Sequence, residues 1–406
     1  MDALERFIKY ISIPSTSDPN NEKVTPSSKE QWNVANCLID DLKEIGLNKI
    51  RLDEHGYVYA ELESNIDKVV PTIGFIAHMD TAPDFNGQNI HPQIIKNYQG
   101  QDIILHSGCT LSPREFPALA KKIGKTIVTT DGTSLLGADD KAGVTAIIEA
   151  MKRLKEQPNI PHGKICIAFT PDEEIGNGAK YFDVANFGAD FAYTVDGSEI
   201  EQLEDENFNA ASATVVINGV SIHPGSAKNR MINAAKQATI YQTMIPDHLS
   251  PEYTEKREGF IHLLSIKANA NKATLEYILR DHDEKRLQAQ KDLLKQAALM
   301  INQQVGKNIV QVTIKDTYQN MKIVLDKHPE VISLATKAMA NLGIEVVREP
   351  IRGGTDGATL SFKGLPCPNI GTGGANFHGP YEYLVLEELY QSIELICQIA
   401  KEGGKL

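Results

Sequence analysis

The sequence of 406 residues lacks the features of a membrane, secreted or nucleic-acid-binding protein. It has no apolar run long enough to cross a bilayer. Its first residues, MDALERFIKYISIPSTSDPN, have no basic start, no uninterrupted apolar core and no small-residue cleavage site. Lysine and arginine form no cluster and the formal net charge is −12, whereas nucleic-acid binding draws on basic clusters. We therefore expect neither a membrane nor nucleic acid as a partner.

Cysteine is scarce as well. The five cysteines are odd in number, widely spaced and never in a C-x-x-C pair, which disfavours both a disulfide framework and a thiolate zinc site. Together with the missing secretion signal, this usage predicts a cytoplasmic protein.

The order of the segments predicts an α/β protein with an insertion. Its length exceeds the size at which one hydrophobic core usually keeps growing, so two domains are expected. From Met1 to about Asn207, helix-like and strand-like segments alternate, as in a mostly parallel sheet covered by helices. The middle third has the ferredoxin-like order βαββαβ, and alternation then resumes. We expect one domain from residues 1–207 and 319–406, with residues 208–318 inserted into it.

The stretch GFIAHMDTAP places His78 and Asp80 at the end of a predicted strand. Residues i and i+2 of an extended segment point the same way, so both side chains leave on one side. A metal-bound imidazole commonly donates its other ring N–H to a carboxylate, so His78 could be a ligand and Asp80 its orienter. A histidine beside a turn aspartate would give the same pattern, and the pair alone decides nothing.

Acidic residues follow two other predicted strands. KICIAFTPDEEIGNG delivers Glu173 and Glu174, and FAYTVDGSEI delivers Asp196. Ligands of open α/β sheets bind outside the carboxyl ends of the strands, so these groups should gather at one edge. A solvated surface loop would also explain one such cluster.

Two further motifs complete a possible ligand set. LLGADDKAGVTAI places Asp139 and Asp140 before a helix, where at least one of them could cap it, and GGANFHGPYEY places a histidine in a late loop. The complete set offers only nitrogen and oxygen donors and suits two zinc ions that share one carboxylate: His78, Asp140, Glu174, Asp196 and His378. Glu173, which is adjacent to a ligand but outside the set, is the candidate general base.

Five motifs occur in the order HMD, GADDKAG, PDEEIG, VDG and FHGP, and together they resemble the family of dinuclear zinc exopeptidases and deacylases. The resemblance spans essentially the whole chain. The segment LSPREFPALAKKIGKTIVTTDGTSLLGADDKAG is similar to the tripeptide aminopeptidases of that family rather than to its deacylases. The resemblance implies a zinc exopeptidase domain that releases the amino-terminal residue of a tripeptide by zinc-hydroxide attack.

Carried over by position, the resemblance implies roles for the motif residues. Asp140 would bridge two Zn²⁺ ions per subunit, Asp80 would orient His78, and Glu173 would be the catalytic acid and base. Co²⁺ or Mn²⁺ would also accept this donor set. The partner would be a short peptide.

The resemblance also implies that residues 208–318 form a lid. His223 would reach the carbonyl oxygen of the bond to be cleaved, unless it is only a turn histidine. Arg280 and Arg352 could hold a substrate carboxylate by bidentate hydrogen bonds, although structural pairing would explain either residue equally well. The lid offers a possible dimer surface, so the chain would be a monomer or a homodimer.

Two other functions stay open at this point. One is an N-acyl amino acid deacylase of the same fold, and the other is a non-catalytic metal-dependent binding protein. A candidate general base argues against the second, because a binding module has no need of one.

Overall fold

The computed structural model describes residues 1–106 and 108–406, and these fall into two units. Unit 1 comprises Met1–Asp205, Met321–Glu349 and Thr355–Leu406, and unit 2 comprises Glu206–Asn320 and Pro350–Gly354. The sequence placed the boundaries at 207/208 and 318/319. It did not foresee that residues 350–354 return to unit 2, because five residues of loop carry no periodic pattern.

The strands in chain order are β1 (Asn48–Leu52), β2 (Val58–Leu62), β3 (Ile73–His78), β4 (Pro92–Ile95), β5 (Ile103–Ile104), β6 (Thr110–Leu111), β7 (Ile127–Thr130), β8 (Ile165–Thr170), β9 (Phe191–Gly197), β10 (Leu203–Glu204), β11 (Asn209–Asn218), β12 (Phe260–Ala268), β13 (Lys272–Asp281), β14 (Val310–Tyr318), β15 (Asn369–Gly371), β16 (Gly374–Ala375) and β17 (Tyr383–Val385). The α-helices are α1 (Ala3–Ile11), α2 (Gln31–Ile45), α3 (Pro117–Ala120), α4 (Ala138–Glu156), α5 (Val184–Phe187), α6 (Ala234–Thr243), α7 (Glu284–Val305), α8 (Lys322–Leu325), α9 (Pro329–Asn341), α10 (Asp356–Phe362) and α11 (Leu386–Gly403). None of the helices in the described ranges is both long and apolar enough to cross a membrane.

Unit 1 is built on a seven-stranded sheet with the order β1-β2-β8-β3-β9-β15-β10. The central strand β3 runs parallel to β8 and β9, and β9 runs parallel to β15, whereas the outer pairs are antiparallel. Every residue of β3 and β8 is buried, which explains their uninterrupted apolar runs. The predicted α/β class with a mostly parallel centre is confirmed.

Helix α4 packs on this sheet. Its apolar residues recur at helical spacing and join the same core as β3 and β9: Val144, Ile147, Ile148, Met151 and Leu154. Near its start, Gly143 lies so close to β9 that an added Cβ would sit 1.7 Å from the carbonyl oxygen of Val195. The start of α4 is thereby pressed against the strand that carries Asp196.

Unit 2 has the predicted ferredoxin-like arrangement. Its four strands are all antiparallel, in the order β12-β13-β11-β14, and the central pair β11 and β13 is in register over ten residues, from Asn209 opposite Asp281 to Asn218 opposite Lys272. Helices α6 and α7 pack on this sheet around a core that includes Val215, Leu275 and Leu294. The four-stranded sheet therefore buries its own hydrophobic core.

The chain between α9 and α10, all of it within the described residues, forms no strand of its own. The segment IEVV, residues 344–347, contributes a single parallel bridge from Val347 to Gln202. Its apolar residues still cover the core of unit 1, because Ile344 is buried there.

We predict that Gly143→Ala destabilises the protein by about 3 kcal/mol or more, because the new methyl group must displace the backbone of β9. The free energy of unfolding, measured with urea, tests this. Gly353→Ala is the matched control, since an added Cβ at Gly353 meets no atom within 4 Å. Equal stability of the two variants would contradict the close packing of α4 on β9.

Candidate metal centre

Three neighbouring strands of unit 1 end at the same edge of the sheet. His78 is the last residue of β3, Asp196 lies in β9, and Glu173 and Glu174 follow β8 in a short turn. His78 is opposite Thr170 in the register of β3 and β8, so these two strands end together. The structure thus brings the histidine and the acidic residues to one place.

Asp139 lies between the two histidines. Its Oδ1 is 2.7 Å from His78 Nε2, and its Oδ2 is 3.4 Å from His378 Nε2. Each histidine has a second carboxylate of its own: Asp196 is 3.4 Å from His78 Nε2, and Glu174 is 3.0 Å from His378 Nε2. The two halves of the site therefore share one carboxylate.

Asp140, which the sequence favours for the shared position, has both carboxylate oxygens bound to backbone N–H groups. Its Oδ2 accepts a hydrogen bond from the backbone N–H of His78 (3.2 Å), and its Oδ1 accepts one from the N–H of Gly143 (3.0 Å). Its carboxylate is close enough to His78 and Asp196 to form a second possible group of ligands, but no ion pair joins it to His378 in the described residues. The geometry thus favours Asp139 over Asp140 as the shared carboxylate.

Asp80 joins the loop after β3 to the turn after β8. Its Oδ1 is 3.4 Å from His78 Nδ1 and accepts a hydrogen bond from the N–H of Glu173 (3.1 Å). Its Oδ2 accepts hydrogen bonds from the N–H of Glu174 (3.2 Å) and from Ser17 Oγ (2.9 Å). Asp80 is fully buried, so these contacts fix both loops relative to each other.

The turn that carries Glu173 and Glu174 has a second anchor. Asp172 is buried with a backbone φ of 57°, in the left-handed region that Asp adopts more readily than most residues. Its carboxylate accepts hydrogen bonds from the N–H and hydroxyl of Ser27 (2.7 and 2.6 Å) and from Gln31 Nε2 (2.7 Å). The turn therefore cannot rotate without breaking buried polar contacts.

Lys141 is a buried lysine that contacts the loop of His78 and Asp80. Its side chain is fully buried, and its Nζ donates to the carbonyl oxygen of Met79 (2.6 Å) and to Ser15 Oγ. Burial lowers the lysine pKa to about 8. Lys141 holds the residue between His78 and Asp80 in place.

The electrostatics of the site show an excess of buried negative charge. Burial raises the pKa of Glu174 to about 8 and of Asp196 to about 6, with Asp139 adding to both shifts. Hydrogen bonds to Asp139 and Glu174 raise the pKa of His378 to about 11. Burial opposes the charged form of His78, but the surrounding carboxylates, Asp196 first among them, raise its pKa well above the usual value.

Divalent cations fit this arrangement. Two sets of three side chains each bring their ligand atoms within 4.8 Å of one another: His78, Asp139 and Glu174, and His78, Asp140 and Asp196. Glu174 Oε1 is buried and has no hydrogen-bond partner among the described residues. Imidazole nitrogens and carboxylate oxygens are ligands that zinc and similar ions accept. A bound cation would satisfy that oxygen and compensate the repulsion between the carboxylates.

The remaining predicted residues belong to unit 2. His223 is an exposed turn residue whose Nδ1 accepts a hydrogen bond from the N–H of Gly225 (3.2 Å). Arg280 donates to the carbonyl oxygens of Leu279 (2.9 Å) and Ala211 (3.3 Å). The substrate contacts of His223 and Arg280 stay predictions.

Arg352 has a structural role in unit 2. Its guanidinium donates to the carbonyl oxygens of Lys256 (2.7 Å) and Glu258 (2.9 Å) and to Thr254 Oγ1 (3.0 Å). It also lies 5.2 Å from the ring centroid of Phe208. Because these contacts occupy both terminal nitrogens, the arrangement favours the structural alternative over a bidentate contact with a substrate carboxylate.

Sequence reasoning missed two residues of this site. The sequence favours Asp140 for the shared position, but no pattern separates it from Asp139. Glu382 was not singled out, although its carboxylate accepts a hydrogen bond from the N–H of Asp139 (3.0 Å). Its only signal is that it follows His378 by four residues.

Comparisons with known proteins show the family and the fold of this chain. The model of Peptidase family M20/M25/M40 matches residues 135–402. Peptidase T of Clostridium acetobutylicum is 48% identical over 402 residues, which cover 98% of both chains. The crystal structure of aminopeptidase PepT from Bacillus cereus superimposes with a TM-score of 0.78 at 22% identity, over 99% of this chain and 98% of that one. A dinuclear metal-binding peptidase of the M20 family from Bacillus subtilis gives a TM-score of 0.64 at 17% identity, over 98% and 96% of the two chains.

Proposed function

Because this chain belongs to peptidase family M20/M25/M40, we propose that it is a metal-dependent aminopeptidase that releases the amino-terminal residue of tripeptides. The family predicted from the five sequence motifs is confirmed. The tripeptide substrate is proposed because relatives named peptidase T match this chain along 98% of its length at 48% to 51% sequence identity. A short peptide is therefore the proposed partner. The cytoplasmic location and the choice between monomer and homodimer stay predictions.

One observation carries the proposal. Asp139 lies between His78 and His378, and each histidine is paired with one further carboxylate. This is the donor arrangement of two cations that share a carboxylate, and ions in such sites lie about 3.5 to 4 Å apart. The fold of a dinuclear metal-binding M20 peptidase supports the same reading.

We assign the two proposed cations to named ligands. His78 and Asp196 would hold one ion, His378 and Glu174 would hold the other, and Asp139 would contact both. Two zinc ions suit this set, and Co²⁺ or Mn²⁺ would also accept it. Such ions polarise a carbonyl oxygen and make water acidic enough to attack at neutral pH.

Glu173 is the proposed proton carrier. Its backbone N–H is fixed by Asp80, while its carboxylate belongs to neither group of possible metal ligands. Burial raises the pKa of Glu173 well above the usual carboxyl value, which suits a group that both takes and returns a proton. Glu173 would take a proton from the attacking water and give it to the departing amine.

Asp80 and Lys141 would hold the proposed ligands in position. Asp80 faces His78 Nδ1, so it orients the ring and leaves Nε2 directed at the shared carboxylate. Lys141 holds the carbonyl group of Met79 in the same loop. Neither residue would contact the substrate.

The proposed substrate is tested with a panel of di-, tri- and tetrapeptides that carry free or acetylated amino termini, together with N-acetylated amino acids. We expect hydrolysis of free tripeptides and loss of that hydrolysis after removal of metal with a chelator. Faster cleavage of acetylated amino acids would instead identify a deacylase. Absence of any hydrolysis by the metal-loaded protein would indicate a binding protein.

For Glu173→Gln we expect kcat to fall by about 100-fold to 10,000-fold, because the proton carrier is lost. Metal content, measured by atomic emission after dialysis, should stay at the level of the unaltered protein. Glu54→Gln, at an exposed carboxylate, is the control and should keep full activity. Full turnover by Glu173→Gln with its metals bound would rule out this role.

The variants Asp139→Asn and Asp140→Asn separate the two adjacent aspartates. Asp139→Asn should weaken metal binding by at least about 10-fold to 100-fold. That is the loss typical when a residue that only hydrogen-bonds to a metal ligand is mutated, and a ligand itself should matter at least as much. Asp140→Asn should keep both metals but lose about 1–3 kcal/mol of stability, because an amide nitrogen cannot accept a backbone hydrogen bond. The reverse pattern would restore Asp140 as the shared ligand. Calorimetric titration of the metal-free proteins and urea unfolding measure the two effects.

A further inference from the structure

Both carboxylate oxygens of Glu382 accept hydrogen bonds from the segment that carries Asp139. Its Oε2 accepts hydrogen bonds from the N–H groups of Leu136 (2.7 Å) and Gly137 (2.8 Å), and its Oε1 accepts one from the N–H of Asp139 (3.0 Å). The residue is only 1% exposed. A buried carboxylate that accepts several backbone N–H groups forms charge-assisted hydrogen bonds, which are stronger than neutral ones.

Within this segment Asp140 Oδ1 accepts the N–H of Gly143, but the N–H groups of Leu136, Gly137 and Asp139 are accepted by Glu382. The first N–H groups of a helix have no partner within the helix. Gly137, which precedes α4, has no side chain to cap it, and the backbone of Asp139 and Asp140 departs from helical angles. The backbone of residues 136–139 is therefore held by an acceptor from elsewhere in the chain.

Glu382 is itself held firmly. Its carbonyl oxygen accepts a hydrogen bond from Thr129 Oγ1 (2.9 Å). The next residue begins β17, where Tyr383 pairs with Thr129 of β7. His378 precedes Glu382 by four residues, so one short segment carries both a proposed ligand and the acceptor for the segment of the shared ligand.

We propose that Glu382 is a positioning residue that directs the carboxylate of Asp139 toward both histidines, and this rests on the proposed metal centre. It does not touch either proposed ion. Its effect passes through the backbone of residues 136–139, which it holds at three points. The alternative is that Glu382 only caps α4 and stabilises the fold without influencing metal binding.

The test measures metal affinity rather than turnover. The full-length protein is stripped of metal, and Zn²⁺ binding is followed by competition with a chromophoric chelator. We expect Glu382→Gln to weaken binding by about 10-fold to 100-fold, because the amide nitrogen cannot accept a backbone hydrogen bond. Glu387→Gln is the matched control. Its carboxylate also accepts a backbone N–H, that of Thr126 (2.8 Å), but does not touch the segment of Asp139.

A double-mutant comparison separates positioning from capping. If Glu382 acts through Asp139, the variant with both Asp139→Asn and Glu382→Gln should bind Zn²⁺ about as weakly as Asp139→Asn alone. A stepwise, additive loss would show that the two residues act independently and would overturn the proposal. Unchanged affinity in Glu382→Gln would also overturn it.

Two further measurements keep the outcome unambiguous. If Glu382→Gln does not fold, Glu382→Asp retains the charge on a shorter side chain. It should then lose affinity less than tenfold if Glu382 positions Asp139, whereas no loss would contradict that role. If the unaltered protein binds no Zn²⁺, the proposed metal centre itself fails. Normal binding by both the unaltered protein and the Glu382 variants would refute only the positioning role.

Discussion

Carboxylates crowd together at one edge of the seven-stranded sheet, and their mutual repulsion is the constraint on which the site depends. Burial and the negative charges of neighbouring carboxylates raise the pKa of Asp140, Glu173, Glu174 and Asp196. Leaving a buried charge without a partner typically costs about 3–5 kcal/mol. Two histidines and Lys141 compensate only part of this charge, and Glu174 Oε1 has no partner among the described residues. A divalent cation held at this edge would offset the repulsion between the carboxylates.

The strands and most of the proposed ligands could be predicted because the signals that identify them lie within short segments of the sequence. Buried parallel strands read as continuous apolar runs, and β3, β8 and β9 all have this form. Parallel neighbours end at the same edge, so polar residues that follow such runs must meet there. His78, Glu174 and Asp196 could therefore be grouped without a structure. The ferredoxin-like order of unit 2 followed from periodicity in the same way.

Other features depend on backbone angles and distant partners that the sequence does not reveal. Asp139 and Asp140 are chemically identical neighbours, and only their φ and ψ angles decide which one faces both histidines. The sequence suggests Arg352 as a possible partner of a substrate carboxylate, but the carbonyl groups that it binds belong to residues almost one hundred positions away. For Glu382 the sequence offers only its position four residues after His378, because its role is defined by three N–H groups of another segment.

The motifs hold one another in place, which explains how segments far apart in sequence form one rigid site. Asp80, in the first motif, binds the backbone of Glu173 and Glu174. Lys141, next to the paired aspartates, binds the carbonyl group of Met79 in the first motif. Glu382, close to the last motif, binds the backbone of Asp139. Each of these motifs thus supplies a proposed ligand and also a group that fixes another motif. The positions of these proposed ligands are thus set partly by contacts outside the ligand set itself.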